Sequence, residues 1–254
     1  NDEFWGVQGG HKVINYDGTN WYDIDDLGAY VGATGVTTFD PSCGLGDFGR
    51  MWYGGITEAP GVVYYSDNLI GEKLNGSASG SLDLKTVWGN DEVVGLAAIM
   101  DKLVIFGKQN IVIYNGASDP DTMSLNEVIK GIGLAGRDNI TYVATDVIFM
   151  SYEGLMSLQR ITQTDGKSPI DDLSISVRND LTRLLATATV SNIKSAYYAE
   201  DGLLITFMPD NDKAYCFDFA AASQGGVPRI TTFSFTTAPL CGLGTIDGKL
   251  YMGT

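Results

Sequence analysis

Short apolar runs separated by turns rich in glycine, aspartate and asparagine constrain the fold of this chain more than any other sequence feature. The pattern is clearest over residues 88–116, WGNDEVVGLAAIMDKLVIFGKQNIVIYNG, where three apolar runs are joined at 101–102 and 107–110. Runs of this length, rich in β-branched residues and bounded by turn residues, predict antiparallel strands in a meander. Because such units are alike, function is expected in the loops and surfaces around them.

Six segments share this alternation of turns and strands at a spacing of roughly 40–50 residues, which is the range of propeller blades. They span residues 9–24, 47–66, 88–116, 139–159, 193–219 and 229–252. The sequence therefore predicts an all-β protein, a divergent β-propeller of about six blade-like antiparallel meanders, in a single domain over residues 1–254. We also expect a longer parent polypeptide, because the chain begins without Met and ends within a strand pattern.

Two stretches break the pattern. Residues 68–87 are polar and small, and are predicted to be an excursion between blades. Residues 169–188 predict the one amphipathic helix, a helical insertion, because Pro169 can open it and an apolar stripe follows. The stripe consists of Leu173, Val177, Leu181, Leu184 and Leu185. A shorter helical patch is predicted over residues 124–129.

The chain carries 16 basic and 31 acidic residues, a net charge of −15. This balance disfavours direct binding of a nucleic-acid backbone, which needs clustered lysine and arginine, although a generally acidic surface for solubility also explains it. The three cysteines, Cys43, Cys216 and Cys241, are far apart and odd in number, which favours reduced thiols. No apolar run approaches the ~18 residues of a membrane-spanning helix.

Catalytic patterns are not found in the sequence. His11 is the single histidine, and neither a G-x-S-x-G elbow nor a P-loop occurs. Gly131, Gly133 and Gly136 match the spacing of a dinucleotide fingerprint, but a strand rather than a helix follows, so we interpret them as a loop between blades. The sequence therefore predicts no catalytic residue, cofactor site or metal site, and no enzyme.

Abundant carboxylates keep a carbohydrate-binding or glycan-hydrolysing propeller as the alternative. Glycosidases use carboxylate pairs, and a central pocket holding three arginines and two carboxylates would favour this function. The arginines are not grouped in the sequence. Candidate calcium loops at residues 23–26 and 119–121 do not complete the EF-hand pattern.

The ordered segments GDFGRMWYGG, GVVYYSDN and DEVVGLAAIMDKLVIFGKQNIVIYNG, followed by GIGLAGRDNITYVATDVIFMSYEGLMSL, are similar to a known family. They resemble the β-propeller of tail nozzle and packaged-DNA-stabilisation (tail tubular) proteins of short-tailed bacteriophages, roughly from residue 47 to 219. The resemblance implies a structural virion protein that forms a homohexameric ring below portal and adaptor, carries fibre or tip proteins, and retains and then conducts DNA during ejection. It also implies assembly in the host cytoplasm and location in the virion tail, without membrane insertion and without catalytic residues or cofactors.

Acidic loops fit such a channel, because carboxylates repel phosphates and let double-stranded DNA pass without specific binding. We therefore predict that acidic loops face the lumen or a neighbouring subunit, with the candidates Asp23, Asp25, Asp26, Asp91 and Glu92. Lys102 and Gln109, at strand turns, are candidates for contacts rather than for catalysis.

Overall fold

The computed structural model describes residues 3–24, 36–163, 172–221, 227–237, 239–244 and 249–253. Within these ranges the chain forms six antiparallel sheets and few helices, so the predicted all-β class is confirmed. The strands are β1 Phe4–Gly6, β2 Ile14–Tyr16, β3 Trp21–Asp23, β4 Cys43–Asp47, β5 Arg50–Gly54, β6 Val62–Tyr65, β7 Gly80–Asp83, β8 Val93–Ile99, β9 Lys102–Gly107, β10 Asn110–Asn115, β11 Ser124–Lys130, β12 Ile140–Val143, β13 Asp146–Ser151, β14 Gly154–Ser157, β15 Lys194–Tyr198, β16 Leu203–Met208, β17 Lys213–Asp218, β18 Arg229–Ser234, β19 Cys241–Gly244 and β20 Leu250–Gly253. The helices are α1 Lys85–Trp88, α2 Leu158–Gln163 and α3 Arg178–Leu185.

Each sheet consists of strands that follow one another in the chain, which is the meander that the sequence predicts. The sheets contain, in chain order, β1–β3, β4–β7, β8–β11, β12–β14, β15–β18 and β19–β20. We call them the first to the sixth sheet. Two-residue turns connect β4 to β5, β8 to β9, β9 to β10, β12 to β13 and β13 to β14, and turns this short set the register, whereas longer loops lead into β7, β11 and β18.

The chain divides into two compact units, of which the first runs from Asn1 to Gly133 and contains the first three sheets. In β5, Met51 and Tyr53 enter one hydrophobic cluster with Val13 of the first sheet region. Trp52 enters a second cluster with Leu103 of the third sheet. Successive strand residues point to opposite faces, so the second sheet is buried on both faces.

The second unit runs from Leu134 to Thr254 and repeats this alternation. In β16, Leu204 and Met208 join the cluster that contains the helix residue Leu181. Ile205 and Phe207 belong to a separate cluster with Ala214 and Cys216. The prediction of one domain over residues 1–254 stays a prediction.

Residues 68–87 do not form an excursion as a whole. Their last part contains β7, which pairs with β6 as the fourth strand of the second sheet, and the start of α1. The prediction missed this strand because glycine, serine and aspartate are poor strand formers, and pairing with β6 supplies what propensity lacks. The turns before β7 are held by Arg50, whose guanidinium donates to the carbonyls of Ser66 at 2.8 Å and Ala78 at 2.5 Å.

The predicted helix over residues 169–188 is too long. α3 begins only at Arg178, and the part of the predicted range up to 171 lies outside the described residues. Asp172 forms an isolated bridge with Met156, and the N–H of Leu173 donates to the Leu155 carbonyl at 2.8 Å. These backbone bonds to β14 replace the first helical turns, while Leu181, Leu184 and Leu185 bury the predicted apolar face.

Two further expectations are wrong. The helical patch at 124–129 is the strand β11, which pairs with β10 from Asn115↔Ser124 to Asn110↔Lys130. The sixth segment is divided, because β18 belongs to the fifth sheet through its pairing with β17. In both cases an apolar neighbouring strand offers a complete ladder of backbone hydrogen bonds, which outweighs the local pattern.

Candidate functional site

The five predicted acidic residues do not line one surface in the described structure. Asp23 ends β3, opposite Ile14, and is partly buried. Asp25 and Asp26 lie outside the described residues. Asp91 and Glu92 line a cleft of about 560 Å³ in the first unit, to which Asp23 does not contribute. This cleft is the candidate site.

Three chain segments form the acidic cleft. They are the loop that leads into β6, the end of β7 with α1 and the loop that follows it, and the turn between β9 and β10. The charged lining consists of Glu58, Asp83, Lys85, Asp91, Glu92 and Lys108. Four carboxylates and two ammonium groups leave the lining net negative.

Asp91 holds the turn between β9 and β10. Its Oδ1 accepts the backbone N–H groups of Glu92 and Lys108, each at 2.9 Å. Its Oδ2 accepts the N–H of Gln109 at 3.0 Å and the side-chain amide of Asn110 at 2.8 Å. A carboxylate that accepts four hydrogen bonds is occupied by its own fold, so Asp91 shapes the cleft and is not its ligand-binding group.

Gly107 makes this arrangement possible. A Cβ atom at Gly107 would lie 2.4 Å from Asp91 Oδ2 and 3.0 Å from the ring atom Cζ3 of Trp88. Since nonbonded heavy atoms do not approach so closely, only glycine leaves room for the carboxylate. The pairing of Asp91 with this turn therefore depends on a residue that the strand pattern does not distinguish.

Glu92 is the predicted acidic residue that reaches solvent in the cleft. Its carboxylate pairs with Lys108 Nζ at 2.6 Å, and both side chains are about half exposed, at 45% and 53%. Exposed pairs of this kind contribute little to stability because water screens them. Their main effect is to neutralise Lys108, one of the two cations of the lining.

Glu58 is fixed at the opposite side of the cleft. Its carboxylate accepts hydrogen bonds from the hydroxyl and the backbone N–H of Thr37. These bonds, the hydroxyl contributing most, hold the pKa of Glu58 below its usual value. Glu58 is therefore ionised at neutral pH. Asp83 also carries a local bond, from the N–H of Lys85 at 2.9 Å.

The cleft offers an acidic electrostatic surface. Within the described ranges, no group of three or more histidine, cysteine or acidic side chains is placed to hold a metal ion. His11 lies exposed in the turn before β2.

The thiols of Cys43 and Cys216 are buried and that of Cys241 is exposed, and none of the three forms a disulfide. None of the described helices is long and apolar enough to cross a membrane.

Grouped arginines in one pocket would favour the glycan alternative. Two further clefts, of about 580 and 370 Å³, contain Arg50 and Arg160 respectively, and the acidic cleft contains none. Other arginines pair locally: Arg178 with Glu153 at 2.6 Å and Arg229 with Asp218 at 2.9 Å. None of these three clefts therefore holds the group of three arginines that would favour this function.

The sequence did not indicate that Asp83, Lys85 and Lys108 belong to the site with Glu58 and the Asp91–Glu92 pair. These residues come from β7, α1 and the β9–β10 turn, and the registers of two neighbouring sheets bring them together. The available signal was the position of Gln109 at a strand turn. Gln109 does line the cleft.

No protein-family model and no curated protein matches this chain. Solved structures are similar to it in fold. A streptogramin B lyase structure has a TM-score of 0.54 at 10% identity, over 99% of this chain and 72% of the other. The extracellular domain of a hybrid two-component system from B. thetaiotaomicron has a TM-score of 0.55 at 11% identity, over 98% of this chain and 30% of the other. With the six meanders, these likenesses show a divergent β-propeller fold, and at this identity they show the fold alone.

Proposed function

We propose that this chain is a structural component of a bacteriophage tail. It would act as a nozzle or head-to-tail completion protein that forms a homohexameric ring around the DNA exit channel, retaining DNA and then conducting it during ejection. Its neighbours would be the adaptor or portal on one side and fibre or tip proteins on the other, in a virion assembled in the host cytoplasm.

The observation that carries this proposal is the structural order of the segments on which the resemblance rests. GDFGRMWYGG forms the turn and strand from β4 into β5, GVVYYSDN contains β6, and DEVVGLAAIMDKLVIFGKQNIVIYNG forms β8 to β10. The matching segments are thus consecutive strands of two neighbouring sheets. The fold by itself does not distinguish between the candidate functions, because β-propellers support unrelated functions.

Electrostatics support the same proposal. Glu58, Asp83 and Glu92 place carboxylates around the acidic cleft, and the chain as a whole carries a charge of −15. A channel wall of this sign repels phosphates and gives DNA no site at which to stick. We assign the acidic cleft to the lumen wall or to the contact with a neighbouring subunit. Asp91 supports this surface indirectly, through the turn that it holds.

Native mass spectrometry and electron micrographs of the purified chain test the assembly. We expect sixfold rings with a central opening. A monomer that hydrolyses glycans would exclude the structural function and favour the carbohydrate-active alternative.

A charge-reversal experiment on the assembled rings tests the lumen. We expect Asp83→Lys with Glu92→Lys to retain double-stranded DNA at low salt, and this retention to fall steeply as salt rises. The matched control, Glu200→Lys with Asp201→Lys, changes the charge by the same amount on the turn between β15 and β16. Equal DNA retention by both variants would show that the acidic cleft does not face the channel.

A further inference from the structure

A second surface of the first unit presents large apolar residues on strained turns. Non-glycine residues with positive φ occur at Phe48 (56°), Leu69 (58°) and Met100 (56°). Leu69 is 81% exposed and Met100 is 83% exposed. The left-handed region favours glycine or asparagine, and an exposed apolar side chain adds no burial. Folding alone therefore does not explain leucine and methionine at these positions.

These turns lie at one end of the first unit. A Cβ at Gly54, which pairs with Cys43 at the start of β4, would lie 2.5 Å from Val93 at the start of β8. The strands β4 and β8 thus begin side by side. Phe48, on the turn after β4, packs against the cluster that contains Leu103, and Leu103 pairs with Ala98 near the end of β8, so the turns with Phe48 and Met100 lie at the same end. The N–H of Leu69 donates to the Gly49 carbonyl at 2.7 Å, which places Leu69 on the first of these turns.

The loop between β10 and β11 joins the same end. The Asp101 carbonyl accepts the N–H groups of Gly116 at 3.1 Å and Ala117 at 3.3 Å. Met123, at the end of this loop, packs against the same hydrophobic cluster as Phe48 and Tyr65 of the second sheet. The loop therefore extends from the third sheet toward the second. We call this surface, formed by the turns that carry Phe48, Leu69 and Met100 and by residues 116–123, the turn end.

A cleft of about 580 Å³ opens on the turn end. Its apolar walls are Trp5, Phe48, Met51 and Leu69, and Glu3 and Asp47 add carboxylates. Arg50 also lines this cleft, but its guanidinium donates inward to the carbonyls of Ser66 and Ala78. The cleft is thus apolar inside and negative around its opening.

The charge of the turn end indicates the kind of partner. The exposed carboxylates are Asp47, Asp101, Asp119 and Asp121. On these turns the cations are Lys102 and Lys73, and Lys73 is already paired with Asp67 at 3.2 Å. The acidic turn end of a second copy and an anionic membrane surface are both repelled by such a surface.

We propose that the turn end binds a protein partner that presents apolar side chains flanked by lysine or arginine. Apolar groups of the partner fill the cleft and cover Leu69 and Met100, while its cations pair with the surrounding carboxylates. This arrangement of an apolar centre inside a charged rim is the usual anatomy of a protein interface. The inference goes beyond the ring function and does not require it.

The test uses the full chain and a labelled amphipathic peptide of leucine and lysine, with fluorescence anisotropy as the readout. A peptide with glutamine in place of leucine separates apolar from purely ionic binding. The variants are Leu69→Asn and Met100→Asn, alone and together, because asparagine is tolerated at positive φ. Ile175→Asn is the control, since Ile175 is also exposed, at 49%, but belongs to the second unit.

We expect the double variant to bind the leucine–lysine peptide at least about tenfold more weakly, with thermal stability equal to or above that of the unmodified chain. The control should bind unchanged, and the glutamine peptide weakly. Equal binding of the two peptides, or unchanged binding by the double variant, would overturn the proposal. A fall in stability would assign Leu69 and Met100 to folding. A change in oligomeric state upon substitution would identify a second copy as the occupant instead. If the chain forms sixfold rings but does not bind the peptide, the binding proposal is refuted and the proposed ring function is not.

Discussion

Replacing Asp91 by alanine should destabilise the first unit and leave the second unchanged. The substitution removes the acceptor of three backbone N–H groups and of the Asn110 side-chain amide. With its loss, the turn between β9 and β10 is no longer tied to the chain segment that precedes β8. The loss in free energy of unfolding therefore measures how strongly the Asp91 carboxylate stabilises the acidic cleft. A residue that served only as a contact group would show little loss.

The expected magnitude follows from the exposure of the four donors. Lys108 and Gln109 are exposed, so water replaces the acceptor for their N–H groups, whereas Glu92 and Asn110 are partly buried. At roughly 0.5 kcal/mol for each bond to the two exposed donors and roughly 0.5 to 1 kcal/mol for each of the other two, Asp91→Ala should cost about 2 to 3 kcal/mol. Asp91→Asn retains one acceptor oxygen and should cost about half as much.

Tryptophan fluorescence makes the assay specific. All four tryptophans of the chain, Trp5, Trp21, Trp52 and Trp88, lie in the first unit. A urea titration followed by their emission therefore reports the unfolding of that unit. The matched control is Glu92→Ala, which removes only the half-exposed pair with Lys108 and should cost less than about 0.5 kcal/mol.

Two results would refute the reasoning. If Asp91→Ala unfolded within about 0.5 kcal/mol of the unmodified chain, water would fully replace the carboxylate, and its four bonds would not hold the turn. If Glu92→Ala cost as much as Asp91→Ala, the exposed ion pair would be the stabilising interaction. In either case Asp91 would return to the group of candidate contact residues.

Three further predictions concern other parts of the molecule. The hydroxyl of Tyr215, followed by Arg183, lowers the pKa of Asp180 to about 2. The resulting stabilisation of the folded chain is present above the ordinary pKa of 3.8 and is lost as the pH falls toward 2. Tyr215→Phe should therefore raise the pKa of Asp180, which a carboxyl NMR titration measures. The same substitution should make stability depend less on pH between 3.8 and 2. Gly133→Ala would place a Cβ 2.3 Å from the carbonyl of Lys108, and calorimetry should show a loss of more than about 2 kcal/mol. A thiol reagent should label Cys241 quickly and Cys43 and Cys216 only on unfolding, because these two are buried and burial raises the pKa of Cys216.

The candidate site shows why sequence reasoning finds parts of a surface but not the whole. Asp91 and Glu92 stand out in the sequence as an acidic pair before a strand, and both line the acidic cleft. Their different functions follow from the number of donors that each carboxylate meets. Asp91 accepts four hydrogen bonds, from donors as far as 19 positions away in the chain, whereas Glu92 forms a half-exposed ion pair with Lys108. No periodicity encodes which of two adjacent carboxylates turns toward a hairpin.

The helical predictions show the same division. Leu181, Leu184 and Leu185 satisfy a helical spacing and do lie on the buried face of α3. Leu173 fits the same spacing and is buried in the same hydrophobic cluster, but it lies before α3 and its backbone N–H bonds to the Leu155 carbonyl. Leu125, Val128 and Ile129 also fit a helix, yet they form β11, because β10 already offers an apolar ladder to pair with. A single apolar spacing is thus compatible with two backbone conformations, and the neighbouring strand selects one of them.

The sequence by itself determined the meander architecture, since the turn residues and short β-branched runs are local signals that act over a few residues. It also determined the acidic character, which is a sum over side chains. The tertiary structure decided which strands share a sheet, why β7 forms from Gly80–Asp83, and which carboxylates face solvent. It also placed Leu69 and Met100 at one end in a strained conformation. These outcomes depend on backbone hydrogen bonds and side-chain contacts between residues distant in the chain, and such pairings exist only once the sheets have packed.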